Sequence, residues 1–137
     1  MVDSKAVIRE WLVLNDGENE VLAAGVAAGD VIARRPVDGF KAERKCVCFW
    51  RLSGGPDKVG GDEPIFSFRC YGATGNDVGA DAVARALVER LDGKYNRTMA
   101  SGQLISSEVT AVFDMADLGY ESEVPMVCVF AKMETGD

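Results

Sequence analysis

The chain has 137 residues, of which 47% are hydrophobic and 27% are charged, and its formal net charge is −7. This length and composition predict a single core and one domain that spans residues 1–137. The sequence contains no histidine, so it lacks the commonest general base and the commonest metal ligand, and this excludes most hydrolase mechanisms. Its acidic character makes it poorly suited to general nucleic-acid binding.

The N-terminal part of the chain is predicted to begin with a helix. Apolar side chains recur at helical spacing over residues 7–14, after Asp3 or Ser4, either of which can cap the helix. The small apolar segment VLAAGVAAGD, residues 21–30, predicts a short helical turn. The sequence VIARRPV that follows is typical of a strand, and we expect it to end at Pro36.

No export or membrane segment is predicted. The first residues, MVDSKAVIREW, have neither the basic flank nor the apolar run of a signal peptide. No stretch approaches the roughly 20 apolar residues that a membrane helix requires. We therefore expect the protein to be made in a cytoplasm and to have no membrane partner.

The middle of the chain contains the clearest predicted strand, KCVCFWRL, at residues 45–52. Its cysteines, valine and aromatic residues supply apolar side chains to both faces, as in a central strand of a sheet. Trp50 is predicted to share a buried face with Cys46, Cys48 and Leu52. The segment SGGPDKVGGDEP, residues 53–64, has four glycines and two prolines, and it is predicted to form a mobile loop.

The four cysteines are interpreted as buried and reduced. They are Cys46, Cys48, Cys70 and Cys128, and each lies in an apolar run. None forms a C-x-x-C pair, so neither a zinc site nor a redox site is expected.

A second strand and a second helix are predicted after the loop. In IFSFRCY, apolar residues alternate with polar ones, which predicts an antiparallel strand whose outward face carries Arg69 and Tyr71. Apolar side chains then recur at helical spacing over residues 80–91, with Asn76 or Asp77 as the cap and Gly93 at the C-terminal end.

Two further strands are predicted in QLISSEVTAVFD and VPMVCVFAKM. In the first of them, Ile105, Val109 and Phe113 are expected on the apolar face. The predicted fold is therefore α+β, with a mainly antiparallel sheet of about four to five strands packed against two helices.

The turn GATGND, residues 72–77, raises an alternative, because a glycine-rich turn between a strand and a helix can hold a dinucleotide phosphate. Two observations favour a simple connector. Arg69 interrupts the preceding strand, whereas a strand before such a loop is almost continuously apolar. The glycines at 72, 75 and 79 also fit neither common spacing. We expect no cofactor, no metal and no enzymatic activity, and a small dinucleotide-binding enzyme is retained as the less favoured hypothesis.

Charge is unevenly distributed along the chain. Residues 34–58 contain seven Lys or Arg against three acids, a balance of +4, whereas residues 101–137 contain one Lys against seven acids, a balance of −6. Oppositely charged regions of this kind can attract each other between copies, and such a head-to-tail contact can close into a ring. The distribution therefore favours assembly over catalysis.

The whole layout resembles the tail terminator proteins of long-tailed bacteriophages and gene-transfer particles, which are also called tail completion or tail-to-head joining proteins. The resemblance covers roughly residues 5–133. It rests on the helix VIREWLVLNDGE, the segment AAGDVIARRPV, the strand CVCFWRLSG with its glycine-rich loop, and two closing strands. It also rests on IFSFRCYGATGNDVGADAVARALVERLDG, within which the most recurrent stretch of the family corresponds to Phe66 through Gly93.

The resemblance implies a virion protein with an α+β fold and no enzymatic activity. Such proteins form a ring, typically a hexamer, at the head-proximal end of the tail. They stop polymerisation of the tail tube protein and dock the head-tail connector, and DNA passes through the ring without sequence-specific binding. The resemblance therefore implies assembly in the host cytoplasm and location in the virion.

No catalytic residue is implied by the resemblance. Candidate contacts between subunits or with partners come from the charge pattern and the predicted outward strand face. They are Arg34, Arg35, Arg69, Tyr71, Asp114, Asp117, Glu121 and Glu123. Another phage neck protein, either a head completion or a minor tail protein, is the principal alternative to a tail terminator.

Overall fold

The computed structural model describes residues 3–37, 40, 42–53, 64–73, 77–114 and 126–136. Their helices are α1 (Ser4–Val13), α2 (Glu20–Ala23), a 3₁₀ turn (Ala28–Asp30) and α3 (Asp77–Leu91). Their strands are β1 (Val31–Ile32), β2 (Cys46–Ser53), β3 (Ile65–Tyr71), β4 (Lys94–Met99), β5 (Gly102–Asp114) and β6 (Met126–Gly136).

Side-chain caps position the first two helices. The Asp3 carboxylate accepts hydrogen bonds from the backbone N–H groups of Lys5 and Ala6, which confirms the predicted start of α1. Asn19 caps α2, and its side-chain amide also donates to the carbonyl oxygens of Leu12 and Leu14, both at 2.9 Å. One buried asparagine thus supplies hydrogen-bond partners for backbone groups at the end of α1 and at the start of α2. The presence of α2 confirms the short helical turn expected there.

The six strands form one sheet in the order β1-β2-β3-β6-β5-β4. Among the described strands, only the β1–β2 pair is parallel. The α+β class is confirmed, but six strands exceed the predicted four to five. The additional strand is β4, whose polar sequence KYNRTM lies at the sheet edge and is exposed over most of its length, so it carries no apolar alternation that would predict a strand.

The predicted strand over VIARRPV is much shorter than expected. Its pairing with β2 ends at Ile32, and the chain bends at Ala33 and Arg34 before reaching Pro36. Proline has no N–H to donate to a ladder, and the residue before it is conformationally restricted, so the sequence does not extend the strand to Pro36. Arg34 and Arg35 therefore lie beyond the strand, not in it.

The helices cover one face of the sheet, and the main core lies between these two layers. Phe49 of β2 and Phe68 of β3 are fully buried there and stack at 5.4 Å between ring centroids. Val83, Leu87 and Leu91 of α3 pack onto this core with no exposed surface. α3 is followed by Gly93 at φ +68°, the left-handed conformation expected of a C-terminal cap glycine.

A smaller apolar cluster lies on the other face of the sheet, which carries no helix in the described part of the chain. Cys46, Cys48 and Tyr71 form it with Ala42, and Phe40 packs edge-on against Tyr71 at 5.1 Å. Tyr71 thus shares a face with Arg69, as predicted, but the expectation that it faces outward is wrong, because Phe40 and Ala42 cover that end of the sheet and bury it. All four cysteines are buried and free, as predicted.

Two β-bulges in β5 change the face of the sheet on which its side chains lie, relative to the prediction. The register with β6 shifts between Leu104 and Ser106 and again between Val109 and Ala111. Each extra residue reverses the alternation of the side chains that follow it. Phe113 therefore lies on the face away from the helices, 46% exposed, and its predicted place on the buried face is wrong.

Two sequence predictions fall mainly outside the described residues. The predicted loop 53–64 is described only at its ends, where Ser53 closes β2 and the carbonyl oxygen of Pro64 accepts a hydrogen bond from the Met133 N–H at 3.0 Å. The proposed cap residue Asn76 is not among the described residues either, and α3 begins at Asp77.

Candidate interaction surfaces

The strand arrangement bears directly on the dinucleotide hypothesis. β3, which precedes the GATGND turn, pairs antiparallel with both of its neighbours, β2 and β6. A Rossmann-type phosphate loop follows a parallel strand, so this sheet lacks the arrangement on which that hypothesis depends. Residues 74–76 of the turn lie outside the described ranges.

The described residues offer neither a metal cluster nor a membrane helix. No group of three or more Cys, Asp or Glu side chains among them is arranged to hold a metal ion. No helix in these ranges is long and apolar enough to cross a bilayer.

The helix-free face of the sheet carries an aromatic and basic surface, which we call the open-face patch and define as Arg35, Trp50, Arg69, Phe113 and Phe130. Cross-strand pairing places its members together. Trp50 pairs with Ser67 of β3, which pairs with Phe130 of β6, and Arg69 pairs with Cys128, which pairs with Phe113. The patch therefore crosses four strands in two adjacent rows.

Trp50 lies between two guanidinium groups. The Arg69 guanidinium carbon is 5.1 Å from the centroid of the Trp50 ring, and that of Arg35 is 6.0 Å from it. Both distances fall within the range of cation–π attraction. Trp50 is only half-buried and Leu52 is 53% exposed, so the prediction that both lie on a buried face with the cysteines is wrong. The small apolar cluster ends before it reaches them.

The arginines affect the titration of the cluster beside the patch. Burial raises the pKa of Tyr71 to about 12, against the opposing effect of a hydrogen bond from Arg69. A hydrogen bond from Cys46 lowers the pKa of the Cys48 thiol, and the positive charges of Arg34 and Arg69 lower it further, although burial opposes them. The positive field of Arg34 and Arg69 thus extends over this part of the open face.

The ion pairs of the described residues leave this basic group without a carboxylate partner. Those pairs join Arg44 to Asp30 and Arg90 to Asp16. Arg34 and Arg35 are exposed, and Arg69 is half-buried. The two guanidinium groups beside the Trp50 ring, together with the Arg34 charge near Cys48, are therefore available to an anionic partner.

Phe113 and Phe130 extend the patch with apolar surface. Their rings meet edge to face at 5.6 Å between centroids. At the second β5 bulge, the Thr110 hydroxyl donates to the carbonyl oxygen of Phe130 at 3.2 Å, which joins the bulge to β6. Because the bulge turns Phe113 outward, the patch owes part of its apolar area to this irregularity.

Neither edge of the sheet is suited to adding a strand. β1 contributes only two residues at one edge. At the other edge, β4 carries Lys94 and Arg97, and Asn96 adopts a left-handed conformation with φ 52°. Charged residues and local irregularities are the features that prevent edge strands from pairing with other chains. Contacts with other molecules are therefore expected through the faces of the fold.

A shallow cleft lies on the helical side, between α3 and the ends of β5 and β6. Asp81, Arg85 and Glu89 of α3 form its charged rim, and Val112 and Val127 contribute apolar surface. Val112 is 51% exposed there. The molecule thus presents apolar surface on both faces.

The structure brings together only some of the predicted contact residues. Arg34, Arg35 and Arg69 lie together on the open face, whereas Tyr71 is buried beneath Phe40. Asp114 ends β5, and Asp117, Glu121 and Glu123 lie outside the described residues. Trp50 is not among the predicted contact residues, since only the register of β2 with β3 reveals that it lies beside Arg69.

Comparisons with known proteins add one finding about the fold. No protein-family model matches the sequence, and no curated protein matches it significantly. The chain is similar in fold to a chain of a solved structure described as the virion of a native gene transfer agent (GTA) particle, with a TM-score of 0.56 and 15% sequence identity. The similarity covers 97% of this chain and 95% of the other. The two chains therefore share a fold over nearly their whole lengths.

Proposed function

We propose that the protein is a structural component of a phage-type virion that forms a ring at the head-proximal end of the tail. In this role it stops polymerisation of the tail tube and joins the tail to the head connector. The observation that carries the proposal is the fold similarity to a chain of a gene transfer agent virion, because it extends over nearly the whole of both chains. The resemblance of the sequence to tail terminator proteins supports the finer assignment.

The surfaces of the molecule support assembly through faces. Trp50, Arg69 and Phe113 belong to the residue types that are enriched at interfaces or supply most of their binding energy. The open face, which carries them, and the α3 cleft, with its exposed Val112, lie on opposite sides of the sheet. A contact between unlike faces of neighbouring copies is heterologous, and it closes into a ring when the rotation between copies allows.

The net charge supports passage of DNA through such a ring. A chain with a formal charge of −7 repels a polyanion wherever its acidic side chains line the channel. The role requires no catalysis and no cofactor. We accordingly propose that the protein is not an enzyme, and calorimetric titration with NAD(P)H and ATP should show no heat beyond dilution.

The experiment that tests the proposal is assembly on purified tail tubes of the corresponding particle. Sedimentation velocity of the free protein over a concentration series, followed by negative-stain imaging with tubes, should show closed rings at one end of each tube and no further growth from that end. Lys5→Glu serves as a control, because it changes the charge of an exposed residue on the helical side. Protein that binds the head connector but never a tube end would instead be a head completion protein, and the tail terminator assignment would be wrong.

A further inference from the structure

We propose that the site formed by Arg35, Trp50 and Arg69 is the docking site for the acidic segment 114–123 of a second copy of this chain. The proposal rests on the proposed ring and names the contact that would hold neighbouring copies together. It begins from the geometry of Trp50, whose ring lies 5.1 Å from the Arg69 guanidinium and 6.0 Å from that of Arg35.

The site is suited to a carboxylate-bearing peptide. Arginine presents several N–H donors in a planar fork that matches a carboxylate, and it can keep its contact with an aromatic ring while it does so. Arg35 is exposed, and the buried Nε of Arg69 meets no hydrogen-bond acceptor among the described residues. The half-buried Trp50 ring adds an apolar surface on which a partner's side chain can pack.

Segment 114–123 has the matching chemistry. Its sequence, DMADLGYESE, contains four acids and no Lys or Arg. Leu118 and Tyr120 supply apolar groups for contact with Trp50. The other dense group of acids, DGENE at residues 16–20, is held within the fold of the monomer, because Asp16 pairs with Arg90 and Glu20 belongs to α2. Charge complementarity therefore selects segment 114–123 as the occupant.

A nucleic acid is the other polyanion that an arginine–tryptophan site could hold, since bases stack on aromatic rings and phosphates bind arginine. The chain's charge of −7 opposes this occupant, because the protein as a whole repels a nucleic acid that approaches it. An acidic peptide carries far fewer charges than a nucleic acid and gains the same local contacts.

The first experiment measures the contact in trans. A fluorescein-labelled peptide with the sequence DMADLGYESE is titrated with intact protein at low ionic strength, and its anisotropy is recorded. We expect saturable binding that weakens at least tenfold in Trp50→Ala and in Arg35→Glu and is unchanged in Lys5→Glu. The peptide NMANLGYQSQ, in which amides replace the acids, should not bind. Circular dichroism and thermal melts establish that each variant is folded.

The second experiment separates docking between copies from docking within one chain. Trp50→Ala damages the site and leaves the segment intact, whereas Glu121→Lys with Glu123→Lys does the reverse. Each variant alone should sediment as the 14.7 kDa monomer, and an equimolar mixture should form a dimer, because one intact site then meets one intact segment. Failure of the mixture to associate, although wild type does, would overturn docking between copies.

Three further outcomes separate the inference from the proposed function. If Trp50→Ala and Arg35→Glu formed the same rings as wild type, the inference would be overturned and the proposed function would remain intact. Peptide binding that depends on Trp50, in a protein that never binds tail tubes, would do the opposite. Binding of a 20-nucleotide single-stranded DNA at this site, with no binding of the peptide, would overturn the inference in favour of a nucleic-acid partner.

Discussion

The indole Nε1 of Trp11 donates a 2.9 Å hydrogen bond to the carbonyl oxygen of Arg90, and the Arg90 guanidinium returns two, of 2.8 and 3.1 Å, to the carbonyl oxygen of Trp11. The guanidinium carbon also lies 3.4 Å from the centroid of the Trp11 ring. Asp16 completes the arrangement with an ion pair at 3.0 Å. This reciprocal contact joins α1 to α3 and so fixes the helical layer on which the sheet packs.

Replacing Arg90 should destabilise the fold strongly. In Arg90→Ala the buried carbonyl oxygen of Trp11 loses its donors, which costs about 1–3 kcal/mol, and the lost stacking and ion pair add to this. Arg90→Lys should recover only part of the loss, because one ammonium group cannot reproduce the fork to Trp11 and Asp16. Urea unfolding measures the effect, with the exposed Arg85→Ala as the control. Equal midpoints for Arg90→Ala and Arg85→Ala would contradict this account.

Acid should weaken the contact between α1 and the β4–β5 turn. The Glu10 carboxylate accepts hydrogen bonds from the backbone N–H groups of Ala100 and Ser101 and from the Ser101 hydroxyl. These bonds, chiefly that of the hydroxyl, lower the pKa of Glu10 below its ordinary value of 4.5. Because the folded pKa is the lower one, this contribution to stability is present above pH 4.5 and is lost as the pH falls through the folded value.

The Glu10→Gln variant tests the predicted direction in which stability changes with pH. Wild type should be the more stable protein at pH 7, and the difference between the urea midpoints of the two proteins should shrink as the pH falls below 4.5. Hydrogen exchange of the Ala100 and Ser101 amides should be faster in the variant at neutral pH. A midpoint difference that does not change with pH would show that the carboxylate charge makes no contribution.

The thiols should react in an order set by their positions in the two clusters. Cys70 lies in the main core, where burial raises its pKa, whereas Cys48 lies in the smaller cluster beside Arg34 and Arg69, and its pKa is lowered. Alkylation requires a thiolate and an opening of the cluster. Timed iodoacetamide labelling followed by mass spectrometry should therefore modify Cys48 well before Cys70. Simultaneous modification would indicate global unfolding as the only route to either thiol.

The sequence predicted best where packing repeats along one element. The apolar runs of β2 and β3 and the helical spacing in α3 identify elements whose ends differ from the predictions by at most three residues. The side chains that these elements bury recur with the period of the helix or strand, so the local apolar pattern is sufficient to predict the element.

Features that depend on neighbouring strands could not be predicted in this way. β4 is held by its pairing with β5 and shows no apolar pattern of its own. The β5 bulges depend on register with β6, and they reverse the facing of Phe113. The open-face patch has the same origin, because Trp50 and Arg69 are 19 positions apart in the sequence and are brought together only by pairing between β2 and β3.

Phe113 should contribute to assembly far more than to folding. Its ring is 46% exposed and contacts Phe130, whereas Phe68 is fully buried in the main core. Phe68→Ala should therefore cost about 3–5 kcal/mol of stability. Phe113→Ser removes a half-exposed aromatic side chain, so its cost in stability should stay below about 1.5 kcal/mol, the lower limit for a fully buried apolar side chain.

In an oligomeric ring whose contacts include the open face, Phe113→Ser should nevertheless raise the concentration needed for assembly severalfold, because the contact between copies loses apolar area that it would bury. Sedimentation velocity across a concentration series, beside urea unfolding of the same samples, measures both effects. If Phe113→Ser assembled at the same concentration as wild type, the oligomeric ring would leave this part of the open face uncovered. A stability loss comparable to that of Phe68→Ala would mean that the aromatic pair belongs to the core of the monomer.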